Sequence, residues 1–281
     1  MPSELSSAPL LHPLRDVSAW AVHFMRTEIP ILGETAGTLE VLRSNEDAVD
    51  ANLLGEVISG DPLMTLKILS YVSTHRSSRR VTDAETVTAA LVMLGISPFF
   101  QAFSAQLTIE ERLADLPHAL EGLHAVLQRA ERASKFALGF AVHRMDHDAA
   151  VIHQAALLHD FAEMLLWCHA PALALEIVAR QQANPALRSN IAQREVLNVE
   201  LSDVQQTLMK SWRLPELLIR ISDDKHANNS QVRNVLLSIR LARHSARGWD
   251  NPALPDDYAE IASLLNLGLE PAIHLVHELD T

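Results

Sequence analysis

The chain has 281 residues, 48% hydrophobic and 21% charged, which is enough for one large domain or two smaller ones. Its net charge of -12 argues against a nucleic-acid-binding protein, because phosphate binding needs clustered Lys and Arg. No apolar run reaches the about 18 residues of a membrane span, and the single cysteine excludes an internal disulfide framework.

The composition favours helices. Only 9 glycines, 7 Phe, 4 Trp and 2 Tyr are present, whereas β-sheet proteins favour turn glycines and aromatic residues. The first 14 residues are expected to form a loose lead-in, and the predicted domain begins at residue 29. Asp61 and Pro62 predict a helix start, because Asp caps free amides and Pro fits the first helical position. Gly95 is expected to end the next helix.

The stretch 104–122 combines mixed charge with Pro117 and Gly122, which predicts a division between two helical halves, 29–115 and 120–281. Apolar spacing predicts helices throughout the second half. They cover roughly 123–143, 149–169, 171–183, 202–213, 215–226, 230–247, 256–266 and 270–279. No strand-length alternation accompanies them, so the predicted fold class is all-α.

The strongest chemical signal is the adjacent pair His159 and Asp160 inside the predicted apolar helix 149–169. Imidazole and carboxylate are both ligands for divalent metals, but two ligands alone make an incomplete site. The alternative is a hydrogen-bonded pair that serves packing. The spacing leaves both interpretations open.

Four motifs follow one another along the chain: DPLMTLKIL at 61–69, ALVMLG at 90–95, ALLHD at 156–160, and Leu208 with WRLP at 212–215. With these motifs in this order, the chain resembles the HDOD family, the HD-related output domains of bacterial signalling proteins. The resemblance runs from about Ile29 to Leu267 and implies a multi-helix fold with an HD-like second half. His159 and Asp160 are then the remnant of the HD motif.

Related HD phosphohydrolases hold a metal with further ligands, and this chain departs from that pattern. The first ligand position falls at Leu127–Arg129, with His124 one turn too early. A later histidine position falls at Leu201, and a paired-histidine position falls at Lys225 and His226, so that only His226 is left as a cleft residue. The closing Asp falls near 240–242, where no carboxylate stands. The resemblance therefore implies no metal, no other cofactor and no catalytic residue.

Other polar groups have simpler interpretations. Cys168 lies in an apolar run and is predicted to be buried and unreactive. His143 and His147 are expected in a solvated turn, although an i,i+4 histidine pair on a helix chelates metals. The basic turn at 76–80 is either a solvated loop or a contact for an acidic partner.

Two functions follow from these expectations. The first is a non-enzymatic regulatory protein of a bacterial signalling pathway, which acts by binding a protein partner or a second copy of itself as a homodimer. The alternative is a divergent metal-dependent phosphohydrolase that uses His159 and Asp160 on nucleotides or cyclic dinucleotides. Neither involves nucleic acid or a membrane, and the N-terminus lacks a signal peptide, so a cytoplasmic protein is expected.

Overall fold

A computed structural model describes residues 8–75 and 84–280. Within these ranges the regular structure is helical, and pairing of the β type is limited to one isolated bridge between Ile31 and Thr108, so the predicted all-α fold is confirmed. The basic turn at 76–80 lies outside the described residues. The helices are α1 Val17–Arg26, α2 Gly33–Arg43, α3 Ala51–Ser59, α4 Pro62–Thr74, α5 Val87–Leu94, α6 Ile96–Ala102, α7 Ile109–Arg112, α8 Pro117–His143, α9 Ala149–Leu157, α10 Phe161–His169, α11 Pro171–Ala183, α12 Ser189–Leu197, α13 Leu201–Ser211, α14 Glu216–Ile221, α15 Ser230–His244, α16 Leu254–Leu265 and α17 Leu269–Leu279.

Several predicted helices differ from the observed ones. The predicted helix 149–169 is wrong as a single element, because the chain breaks at 158–160 into α9 and α10. The predicted helix 215–226 is also divided, into α14 and a short 3-10 turn at Asp224–His226. Three further helices, α1, α7 and α12, stand where no helix was predicted.

The described helices group into two compact units, each built from separate stretches of sequence. Unit one comprises residues 1–126 and 160–214, and unit two comprises 127–159 and 215–281. The predicted bounds of the halves, 29–115 and 120–281, stay a prediction. Within unit one, α1 packs on α13, α3 on α5, and α10 on α4, α11 and α13. Within unit two, α15 packs on α9 and α16, and α16 packs on α17.

The interior of each unit is filled by apolar side chains that recur at helical spacing. Trp20, Phe24 and Phe99 are fully buried in unit one, as are Phe136 and Phe140 in unit two. No helix among the described residues is by itself long and apolar enough to cross a membrane, although one sharply bent pair, 149–169 with 171–183, passes that test by composition.

The Asp61 carboxylate is fully buried and organises the first helices of unit one. Its Oδ1 accepts hydrogen bonds from the backbone amides of Leu63 and Met64, each at 2.9 Å, which confirms the predicted cap of α4. Its Oδ2 accepts from the amide of Leu32 at 2.9 Å, just before α2. Burial raises the pKa of Asp61, and these hydrogen bonds with that from Thr35 lower it in part. One side chain thus joins two helix starts 29 residues apart.

The structure confirms the predicted burial of Cys168 and also shows that Trp212 is buried. Cys168 is fully enclosed, and burial raises the pKa of its thiol to about 12, so it stays protonated and inert at neutral pH. Trp212 is buried beside Phe161, with ring centroids 5.9 Å apart, at the link between α13 and α14. Gly95 ends α5 with a φ of 88°, a conformation that disfavours residues with a side chain.

We expect Asp61→Ala to lower the free energy of unfolding by at least about 2 kcal/mol, because three buried amides lose their acceptor. Asp61→Asn should cost less, since an amide oxygen still caps α4 while its NH₂ group faces the Leu32 amide. Urea denaturation measures both. Asp50→Asn, at the exposed cap of α3, is the matched control and should change stability little. Equal losses for Asp61→Asn and Asp50→Asn would contradict the double role of Asp61.

Candidate functional site

The HD-motif remnant lies in the break between α9 and α10, not inside one helix. His159 follows the last turn of α9 and belongs to unit two. Its Nε2 lies 3.1 Å from Oδ1 of Asp224, which opens the 3-10 turn Asp224–His226. The His159 side chain is 13% exposed and that of Asp224 is 46% exposed, so the pair stands at the edge of the interior of unit two.

Asp160 has a different structural position. It is the residue before α10, and its backbone carbonyl accepts hydrogen bonds from the amides of Glu163 at 3.0 Å and Met164 at 3.1 Å. Its carboxylate does not cap α10. His159 is therefore the last residue of the first segment of unit two, and Asp160 is the first residue of the second segment of unit one.

His226 is exposed beside the His159–Asp224 contact. Its side chain is 66% exposed, and its Nε2 lies 3.6 Å from Oδ2 of Asp223. Asp223 also accepts a hydrogen bond from the Lys225 amide at 3.1 Å, which starts the 3-10 turn. The imidazole of His226 thus faces a carboxylate and solvent. Its predicted role as a cleft residue stays a prediction.

The other positions at which related proteins supply ligands carry side chains that do not bind cations. Leu127 is buried in α8, and Leu201 is buried at the start of α13. His124, one turn before Leu127, is exposed. Among the residues that the structure describes, no group of three or more His, Cys, Asp and Glu side chains is arranged to hold a metal.

The described residues do not make a complete divalent-metal site. Nε2 of His159 is within hydrogen-bond distance of Asp224, and a carboxylate can only accept, so in this arrangement Nε2 carries the proton and the lone pair of a neutral ring is on Nδ1. Lys225 supplies an ammonium in place of an imidazole, and Arg240 supplies a guanidinium near the position of the closing Asp. In the structure Arg240 is paired with Asp257 and Glu260.

The comparison with protein families decides which family this arrangement belongs to. The sequence profile of the HDOD domain matches residues 29–228, well over half of the chain. The chain belongs to the HDOD family.

Solved structures show the same HDOD fold. The MmoQ response regulator from Methylococcus capsulatus str. Bath is 20% identical and has a TM-score of 0.69, over 89% of this chain and 98% of that protein. A virulence factor from Campylobacter jejuni subsp. jejuni is 18% identical and has a TM-score of 0.62, over 89% of this chain and 90% of that protein. No curated protein matches significantly.

The segment that follows the HDOD match is fastened by a buried ionic network in unit two. Asp257, at the start of α16, is fully buried. Its Oδ1 accepts two hydrogen bonds from Arg240 on α15, at 2.6 and 3.0 Å, and its Oδ2 lies 2.5 Å from Nδ1 of His244. Arg240 also donates to the exposed Glu260 at 3.0 Å. Arg240 therefore joins α15 to α16.

The histidines before α9 do not form a helical pair. α8 ends at His143, and a turn with Met145 at a φ of 56° follows, so His143 and His147 do not share a helix. In the same turn, Asp148 accepts a hydrogen bond from Gln231 of α15 at 2.7 Å.

Sequence reasoning missed Asp224 and the Asp257 network. The adjacent acids Asp223 and Asp224 stand directly before Lys225 and His226, so their presence was visible in the sequence. Their pairing with a residue 65 positions away was not, because no local periodicity encodes it. The same holds for Asp257 and Arg240, which lie 17 positions apart on two helices.

We expect Asp257→Ala to lower the free energy of unfolding by about 2–3 kcal/mol, because it removes a buried carboxylate from two cationic or hydrogen-bonding partners. Glu260→Ala is the matched control, since it removes an exposed partner of the same arginine and should cost below about 1 kcal/mol. Chemical denaturation compares the two variants. Similar losses for both would show that the Asp257 network does not fasten α16.

Proposed function

We propose that this HDOD protein is a non-enzymatic regulatory module of a bacterial signalling pathway that acts by binding a protein partner. The pairing of His159 with Asp224 is the observation that carries the proposal, because the motif histidine hydrogen-bonds a carboxylate while no group of three His, Cys, Asp and Glu side chains among the described residues completes a metal site. Leu127, Leu201 and Lys225 at the other ligand positions support it. The names of two similar structures, a response regulator and a virulence factor, are compatible with a regulatory role.

Without a metal, a hydrolase needs another way to activate water. The single thiol, Cys168, is buried with a pKa raised to about 12 and cannot act as a nucleophile at neutral pH. The chain also lacks a Gly-rich phosphate loop and a nucleophile-elbow motif. Binding is therefore the function that the residues support best.

The charge of the chain suggests the chemistry of the partner. A net charge of -12 speeds the association of partners with a basic rim and leaves their apolar contacts to set the lifetime of the complex. We include a cytoplasmic location in this proposal. Self-association as a homodimer is an alternative outcome that sedimentation of the purified protein distinguishes.

The proposal predicts purified protein with far less than one bound metal per chain. It also predicts no hydrolysis of nucleotides or cyclic dinucleotides with added manganese, iron or magnesium. Elemental analysis and product chromatography make these measurements, with His159→Ala as the matched variant. Stoichiometric metal together with hydrolysis that disappears in His159→Ala would instead establish the phosphohydrolase alternative.

Partner binding is tested with the same pair of proteins. A specific host protein captured in near-stoichiometric amount should bind wild type and His159→Ala equally, because the HD remnant serves packing. Its capture should weaken between about 50 and 300 mM salt, since screening reduces association steered by charge. Failure to capture any protein, with the chain monomeric in sedimentation, would contradict a binding function.

A further inference from the structure

The helix α1 packs its half-buried His23 against the buried His169 of unit one. α1 precedes the HDOD match, which begins at residue 29, and packs on α13. His23 on α1 faces His169, the last residue of α10, with ring centroids 6.2 Å apart and ring planes at 84°. Phe24 of α1 also contacts the His169 ring, at 6.2 Å. The ring contacts of His169 within the described residues thus come from α1.

The imidazoles are held without good hydrogen bonds. His169 is 3% exposed, and neither of its ring nitrogens has a hydrogen-bond partner of acceptable geometry among the described residues. Nε2 of His23 is likewise buried without such a partner. Burying a neutral imidazole here has a moderate free-energy cost, whereas a protonated imidazole would bring a charge and a second unsatisfied donor into the interior.

The four charged groups around the two rings come from three other segments of unit one, namely α7, the link after α1, and α4 with its cap. The Arg112 guanidinium, at the end of α7, donates to the Cys168 carbonyl at 2.9 Å, next to His169. Glu28, in the link after α1, pairs with Lys67 of α4 at 3.4 Å, and the Asp61 carboxyl lies near that lysine and near Cys168. Among these, Arg112 is the group that opposes protonation of both histidines.

The direction of the resulting pKa shifts agrees with the geometry. Burial lowers the pKa of His169 to about 3, with Arg112 and His23 acting in the same sense and the Glu28 backbone carbonyl opposing them. Burial, followed by Arg112, also lowers the pKa of His23. Burial lowers the pKa of Lys67, against the attraction of Glu28.

We propose that α1 is an acid-released cover: protonation of His23 and His169 detaches α1 from α10 and α13 while the other helices stay folded. Polar attachments of this segment include Leu10 N to His169 O at 2.8 Å, Asn198 Nδ2 to Leu14 O at 3.2 Å, and Trp20 Nε1 to Leu197 O at 3.1 Å. Burial of Trp20 and Phe24 holds α1 in place at neutral pH.

The sign of the effect follows from proton linkage. Both histidines have a lower pKa under the cover than in solvent, so the detached form binds more protons as the pH falls below about 6.5. The covered form is therefore favoured above that pH, and its population decreases below it. Between pH 7.5 and 5.5 each histidine shifts the equilibrium toward detachment by up to about 10-fold, and the two together by up to about 100-fold.

Hydrogen–deuterium exchange of the full chain at pH 7.5 and 5.5, corrected for the intrinsic pH dependence of exchange, tests this proposal. Protection of the α1 amides should fall by about 10-fold to 100-fold at the lower pH, while that of α4 and α15 changes much less. His118→Gln, which removes an exposed histidine, should behave like wild type. His23→Gln should lose part of the response, and His23→Gln with His169→Gln should lose all of it.

Each other outcome overturns the proposal. Unchanged α1 protection in acid would mean that the histidines do not release it. Equal loss of protection in α1, α4 and α15 would show global acid unfolding instead. A full response in His23→Gln would assign the effect to other groups, and this single variant keeps the test valid if the double variant fails to fold.

Discussion

The contact between His159 and Asp224 is the interaction on which the functional interpretation depends. A histidine ring nitrogen either carries a proton or offers a lone pair, and a carboxylate at 3.1 Å selects the proton. The HD motif thereby becomes part of the packing between the end of α9 and the 3-10 turn after α14.

Within each unit, a buried carboxylate connects helices that are distant in the sequence. In unit one the Asp61 carboxylate joins the starts of α2 and α4, and in unit two Asp257 joins α15 to α16. Each of these carboxylates accepts several hydrogen bonds, which offsets the cost of removing its charge from water. The histidines at the contact between α1 and α10 are the exception, because both ring nitrogens of His169 and Nε2 of His23 are buried without such partners. Rigidity and sensitivity to acid therefore arise from different polar groups of the same fold.

Local rules predicted much of the helical fold from the sequence. The cap at Asp61 and the end of α5 at Gly95 follow from the chemistry of one or two residues, and both predictions are confirmed. The break at 158–160 was missed because apolar residues continue at helical spacing through it. α12 was missed for the opposite reason: its N-terminus has no side-chain cap, and few of its residues are apolar.

The candidate site was harder to predict than the fold. The family motifs located His159 and Asp160, and the missing ligands were visible as Leu201 and Lys225. The contact of His159 with Asp224 was not visible in the sequence, because it depends on the packing of α9, α14 and α15. Pairing between distant side chains depends on the tertiary structure, and sequence spacing carries no record of it.

Crystals of the purified protein grown with manganese, measured near the absorption edge of that metal, test the central claim most directly. We expect no anomalous peak beside His159, and Nε2 of His159 should remain within hydrogen-bond distance of Asp224. A strong peak bonded to both His159 Nε2 and the Asp160 carboxylate would contradict this claim, because it would show that the HD motif still binds a metal.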